Sequence, residues 1–229
     1  MGHKRGFTLI ELAIVILVAS LLLAAVLKGG SVIRGAKVQD VITIAQDLSA
    51  AVNNFKQRYH MFPGDFPINA VTPEITGITP ACLSTGAQKG DGNGLIDSGG
   101  NPVGSLGVAA EAQCVPEVLF QAGMVNKVDT DSGVSVFHTR FGGRVWVKTV
   151  GGPNGSNVVA ALAAAGITFP LSPSVTHVIE FENLPCSVAR DIDRQIDNDN
   201  IGVPPNIGRG AASDPACVKD TLVDYALAL

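Results

Sequence analysis

The chain has 229 residues, with 16 Lys and Arg against 20 Asp and Glu, a formal net charge of −4, and 46% hydrophobic against 16% charged residues. Such a length can bury a sizeable core, and the acidic balance argues against nucleic acid as the default partner. The four histidines, His3, His60, His138 and His177, lie in no recognisable nucleophile or metal motif, so an enzyme is not expected.

In chain order, His3, Lys4 and Arg5 precede an apolar run from Phe7 to Leu27 that only Thr8, Glu11 and Ser20 interrupt. About 20 residues in a helix span about 30 Å, enough to cross a bilayer. No small-residue cleavage site of the A-x-A kind closes the run, which separates it from a secretory signal peptide. Glu11 places one carboxylate in a segment otherwise suited to hydrocarbon, where a charge needs a partner or a purpose. Positive residues stay cytoplasmic, so Lys4 and Arg5 put the N-terminus inside and export the remainder.

The run Gly6-Phe7-Thr8-Leu9-Ile10-Glu11-Leu12 behind a short basic leader resembles the type III signal of type IV pilins and pseudopilins. The resemblance implies that a prepilin peptidase cuts after Gly6 and methylates the new N-terminus at Phe7. Loss of Lys4 and Arg5 would leave 14 Lys and Arg against 20 Asp and Glu. Phe7 and Glu11 are four apart and share a helix face. A carboxylate and an amine attract strongly in a low-dielectric medium, so Glu11 of an incoming subunit can pair with the Phe7 amine of one already assembled. By resemblance, that pairing sets the register of polymerisation. The implied partners are other pilin or pseudopilin subunits, the prepilin peptidase, the inner-membrane assembly machinery and the lipid bilayer. The implied location is the inner membrane, crossed once, and then a periplasmic or extracellular filament.

Gly29-Gly30 follow Lys28 and mark either a hinge or a harmless loosening of the helix. Beyond them Val38, Ile42, Ala45, Leu48, Val52, Phe55 and Tyr59 recur at spacings of three and four, with Gln39, Asp40, Thr43, Gln46 and Asp47 among the polar residues opposite. That pattern predicts an amphipathic helix with a packing face. It must end near Tyr59, because two prolines and a glycine occupy Met61-Phe62-Pro63-Gly64-Asp65-Phe66-Pro67. Residues 1–6 are then a leader, 7–28 the membrane half of one long helix, 29–60 its amphipathic half, and 61–229 an exported head.

The head opens with a Gly- and Pro-rich insert to about residue 116. A short helix is expected at 116–124, an Ala-rich one at 157–165 and a third at about 185–196. Strands are expected at 133–137, 144–150, 175–181 and 221–229. Phe55-Lys56-Gln57-Arg58-Tyr59, Phe62-Pro63-Gly64-Asp65, Gly90-Asp91-Gly92-Asn93-Gly94, residues 119–125 and residues 184–200 together resemble pieces of minor-pilin or pseudopilin-like proteins. That likeness implies an α+β fold, a long N-terminal helix packed against an antiparallel sheet.

Cys82, Cys114, Cys186 and Cys217 all fall in the exported part, and an even number there favours two disulfides with three pairings open. Pairing Cys82 with Cys114 and Cys186 with Cys217 is preferred, since each closes a loop of about 30 residues around an irregular part of the chain. No C-x-x-C pair or nearby histidine supports zinc. Two acidic clusters invite calcium. Asp91, Asn93 and Asp97 alternate oxygen ligands with glycines, and Asp193, Asp197 and Asp199 end a predicted helix, where negative charge opposes the macrodipole. Turn formation and solvent exposure account for the same residues without a metal, and no other cofactor is expected. The expected function is a structural subunit of a type IV pilus or type II secretion pseudopilus. The alternative keeps the scaffold and makes the head of a minor or tip subunit an adhesin or cargo-binding module.

Overall fold

The structure, a computed structural model, describes residues 8–65, 77–79, 90–96, 111–149, 177–197 and 222–229. The chain forms two compact units, Met1–Gln39 and Asp40–Leu229.

Helix α1 runs unbroken over Leu9–Tyr59. In the first unit its large apolar side chains are exposed, among them Leu12, Ile16, Leu21 and Leu27. Gly29, Gly30 and Gly35 all lie inside the helix, and a Cβ added at any of them meets open space. The diglycine therefore sits in regular helix and relieves no crowding. In the second unit, α1 buries Val41, Ala45, Leu48, Ala51, Val52 and Phe55, spaced to lie on one face. Ile42 is only half-buried and Val41 takes its place in the stripe. The helix stops where expected. Lys56 and Arg58 favour the negative end of the dipole, and His60 turns into the left-handed region (φ 59°) while its N–H donates to the Lys56 carbonyl at 2.8 Å.

The head sheet is a five-stranded antiparallel meander in the order β1 to β5. Its strands are β1 (Asp129–Asp131), β2 (Val134–His138), β3 (Arg144–Thr149), β4 (His177–Pro185) and β5 (Leu222–Ala228). Four were expected from β-branched and aromatic enrichment. The three-residue β1, Asp-Thr-Asp, was not, because its composition signals a turn and only pairing with β2 makes it a strand. A tight turn joins β2 to β3, with Thr139 N–H donating to Gly143 O at 2.9 Å. A Cβ on Gly143 would collide with the Glu182 carbonyl, so β4 approaches this turn only because glycine stands there.

β3 is buried at every residue from Val145 to Thr149, and β4 from His177 to Glu182, so neither face of the sheet centre meets solvent. The polar residues on one face are paired. Lys148 and Glu180 form an ion pair whose side chains are only 2% and 1% exposed, Trp146 Nε1 donates to Glu182 Oε1 at 2.7 Å, and Arg144 reaches Asp131 at 3.1 Å. A buried pair of this kind contributes little net stability, but removing one partner alone costs about 3–5 kcal/mol.

Before β1, a 3-10 turn at Glu111–Gln113 leads into helix α2 (Val115–Gln121), with Pro116 in the first turn where its missing N–H is harmless. Helix α3 covers Cys186–Asp197 and buries Val188, Ala189 and Ile192. The Ala-rich helix expected at 157–165 lies outside the described residues.

Candidate functional site

The start of α1 carries the first site. Thr8 precedes the helix, and Glu11 is its third residue. Thr8 N–H and its hydroxyl donate to Glu11 Oε2 at 2.9 and 2.8 Å, while Glu11 N–H is donated to Thr8 Oγ1 at 3.3 Å. These reciprocal bonds form a capping box, which occupies two donors that a helix N-terminus otherwise leaves unsatisfied. Sequence reasoning assigned Glu11 to assembly and passed over its partner, although Thr-x-x-Glu ahead of an apolar run is the signature of that box. Gly6 and Phe7 lie outside the described residues.

A second site forms where three separate loops meet. Asp65, at the end of the Phe62-Pro63-Gly64 turn, is 1% exposed. Its Oδ1 accepts the N–H of Gly92 at 3.0 Å and of Asn93 at 3.1 Å, and its Oδ2 accepts that of Gly94 at 2.8 Å. The glycine-rich loop is thus wrapped on a buried carboxylate. Gly64 makes the approach feasible, since it has φ 94° and passes close against the Glu111 carbonyl. Carboxylate oxygens of Asp65, Asp91 and Glu111 lie within 4.8 Å of one another, and Asp91 N–H donates to Glu111 Oε1 at 3.3 Å. Burial raises the Asp65 pKa to about 6, with the Asp91 charge adding to it, against the lowering effect of the Gly94, Gly92 and Asn93 N–H groups.

His177 sits close by at the start of β4. It stacks on Phe62 with ring centroids 3.9 Å apart, and Lys56 lies 4.2 Å over the other ring. Burial and the Lys56 charge lower its pKa to about 4, opposed by a bond to the Gly94 backbone. A neutral histidine packed in this way is structural.

Residues 1–27 match the family model described as the prokaryotic N-terminal methylation motif. The chain carries the type IV pilin and pseudopilin signature. No curated protein and no solved structure is significantly similar to it. The matched segment is the apolar start of α1, and Leu9–Tyr59 is long and apolar enough to cross a membrane by length and composition.

In this pilin-like chain the expected calcium ligands are only partly brought together. Asp91 joins the acidic site, but its companions there are Asp65 and Glu111, neither of which was singled out. The Asn93 carboxamide is engaged within its own loop. Its Nδ2 donates to Asp91 Oδ2 at 2.9 Å and its Oδ1 accepts Leu95 N–H at 2.7 Å, so it caps the turn and is no ligand in this arrangement. Asp97 and Asp199 lie outside the described residues, and Asp193 and Asp197 stand on the last turns of α3. Asp65 and Glu111 are 46 residues apart in sequence, a separation that local spacing does not reveal. Among the described residues no cysteine is a free thiol, and Cys114 and Cys186 are both buried. Cys82 and Cys217 lie outside them.

Proposed function

We propose that this chain is a structural subunit of a type IV pilus or a type II secretion pseudopilus. It inserts into the inner membrane with its N-terminus cytoplasmic, is cut after Gly6 and methylated on Phe7, and enters the filament through the apolar half of α1. The observation that carries the reading is the match of residues 1–27 to the methylation motif, continued by a helix whose apolar side chains are exposed. Such a surface has no place in water and every reason to be covered, by lipid before assembly and by neighbouring helices afterwards. Glu11 sets the register. Both Thr8 bonds fall on Oε2, and the second oxygen of the carboxylate remains for the Phe7 amine of a neighbour. Orientation follows from the peptidase acting on the leader.

The head is braced by two disulfides, Cys82 with Cys114 and Cys186 with Cys217, and by a calcium ion held by Asp65, Asp91 and Glu111. Oxygens that bind one calcium at about 2.4 Å each are no more than about 4.8 Å apart, and the spread of these carboxylates fits that limit. Such an ion would also offset the repulsion among three converging carboxylates.

Mass spectrometry of membrane-derived protein tests the central reading. The chain should begin at Phe7 and carry one methyl group, and Gly6→Val should block the cut. Glu11→Val should still insert and be cut, since it makes the span more apolar, yet should enter sheared filaments at a small fraction of the wild-type level. An intact Met1 leader in filaments would overturn the reading, whereas normal incorporation of the Glu11 variant would overturn only the register role of Glu11.

A further inference from the structure

The sequence holds two Asn-Gly pairs, Asn93-Gly94 in the glycine-rich loop and Asn154-Gly155, which lies outside the described residues. An asparagine before glycine is chemically labile in water. Glycine has no Cβ to shield its backbone nitrogen, which attacks the asparagine Cγ, closes a succinimide ring and expels the side-chain nitrogen as ammonia. Water then opens the ring at either carbonyl to leave aspartate or isoaspartate. One water is consumed, one ammonia is released, and no oxidant or cofactor is required.

Asn93 and Gly94 are both exposed, so burial keeps neither water nor base from them. Hydrogen bonds instead hold each group that the reaction uses. The nucleophile is the Gly94 nitrogen, whose N–H donates to Asp65 Oδ2 at 2.8 Å and must lose that proton before it attacks. A bond to a carboxylate is of the stronger, charge-assisted kind. The electrophile is the Asn93 carboxamide, and it is fixed at both ends. Its Nδ2 donates to Asp91 Oδ2 at 2.9 Å and its Oδ1 accepts Leu95 N–H at 2.7 Å, so it does not turn freely toward the nitrogen. The negative charge that the attacking nitrogen takes on would also build up beside the Asp65 and Asp91 carboxylates, and like charges at such range oppose it. Asp91 and Leu95 belong to the loop itself. Asp65 reaches it from outside, is 1% exposed, and holds Gly92 and Asn93 as well as Gly94.

We propose that Asn93-Gly94 is a latent self-modification site that Asp65 keeps silent, so that the loop deamidates only after it has left the buried carboxylate. The change runs one way. In the aspartate product an oxygen replaces the Nδ2 that donates to Asp91 Oδ2, and attraction between the two side chains becomes repulsion. In the isoaspartate product the backbone gains a methylene, which moves the Gly94 N–H off Asp65 Oδ2. Either product weakens the grip that had prevented it, and a chain whose loop has once opened for long is thereby marked.

The test incubates the full chain, with detergent and chelator at mildly alkaline pH, both folded and in urea, and follows the loop peptide by mass spectrometry. In urea Asn93 and Asn154 should react at similar rates, since the following glycine then governs both. In the folded chain Asn93 should react at least about tenfold more slowly than in urea, because the reaction waits on local opening. The Gly94 amide should exchange its hydrogen slowly although the residue is exposed. Asp65→Ala removes both acceptor oxygens and should bring the folded rate of Asn93 most of the way to the urea rate, with circular dichroism checking that helix and sheet persist. Asn93→Asp should speed Gly94 exchange. A folded rate equal to or above the urea rate, or rapid Gly94 exchange, overturns the proposal in the wild type without recourse to any variant. A folded Asp65→Ala chain in which Asn93 stays slow overturns the role of Asp65, and unchanged Gly94 exchange in Asn93→Asp overturns the one-way release.

Discussion

Glu11 is polar in a segment that selects against polarity, and the capping box explains how the cost is reduced. Its carboxylate is hydrogen-bonded before any neighbour arrives, and it lies at the helix end where the dipole favours negative charge. Asp65 and His177 are buried titratable groups whose pH dependences have opposite signs. The His177 pKa, held near 4, lies below its unfolded value of about 6.5, so its contribution to stability is present above that value and is lost as pH falls toward 4. Asp65, raised to about 6, takes up its proton more readily in the folded state, so its contribution is lost as pH rises from about 4 through 6. In chelator, His177→Phe should therefore flatten the acid loss of melting temperature between pH 6.5 and 4, and Asp65→Asn should steepen it. Thermal melts across that range check both signs. At neutral pH, calcium should raise the wild-type melting temperature, by an amount equivalent to about 2.7 kcal/mol at a hundredfold excess over Kd. The same addition should leave Asp65→Asn and Asp91→Ala unmoved, while an unchanged wild type would show that these carboxylates bind no calcium.

At the scale of elements, glycines of like composition have opposite roles. Gly29 and Gly30 occupy helix with open space around them, so Gly29→Ala and Gly30→Ala should each stabilise α1 by up to about 1 kcal/mol. Amide hydrogen exchange over residues 25–35 should slow accordingly. If filaments made from the double alanine variant are stiffer or fewer, the diglycine is a hinge in assembly even though the helix runs through it without a break. Gly143 is fixed by the Glu182 carbonyl, and Gly143→Ala should cost about 2 kcal/mol or more by forcing the β2–β3 turn away from β4. Denaturant melts would read that loss as a shifted midpoint with little change in slope.

The whole molecule is divided by what covers it. From Leu9 to Ile33 the first unit exposes its large apolar side chains, whereas Asp40–Leu229 has a core of its own around Val52, Phe55, Val118, Phe181 and Ile192. The head buries several charged and polar groups, among them Asp65, Lys148 and Glu180. Non-reducing peptide mapping should join Cys82 to Cys114 and Cys186 to Cys217. Each bond closes a loop of about 30 residues and should contribute about 3–4 kcal/mol, so loss of either should lower the melting temperature by about 10 °C. A crossed pairing would refute the connectivity, and free thiols in exported protein would refute the cross-links.

The N-terminal site was legible in the sequence because its chemistry is local. An apolar run, one carboxylate and a glycine before Phe7 are contiguous, and a helix in lipid must satisfy its backbone internally whatever follows. The end of α1 was also written locally, in two prolines and a glycine. Periodicity left one ambiguity in the packing face, since either Val41 or Ile42 keeps a three-and-four spacing between Val38 and Ala45, and contact with the head selects Val41. β1 became a strand only through its neighbour, and the continuous burial of β3 and β4 came from cover on both faces. The acidic site was the least legible part, because Asp65, Asp91 and Glu111 come from loops whose meeting no local pattern encodes. Only the tertiary structure decided that the carboxylate of Asp65 would hold the glycine-rich loop, because a buried charge must find donors and the N–H groups that meet it lie 27 to 29 residues away.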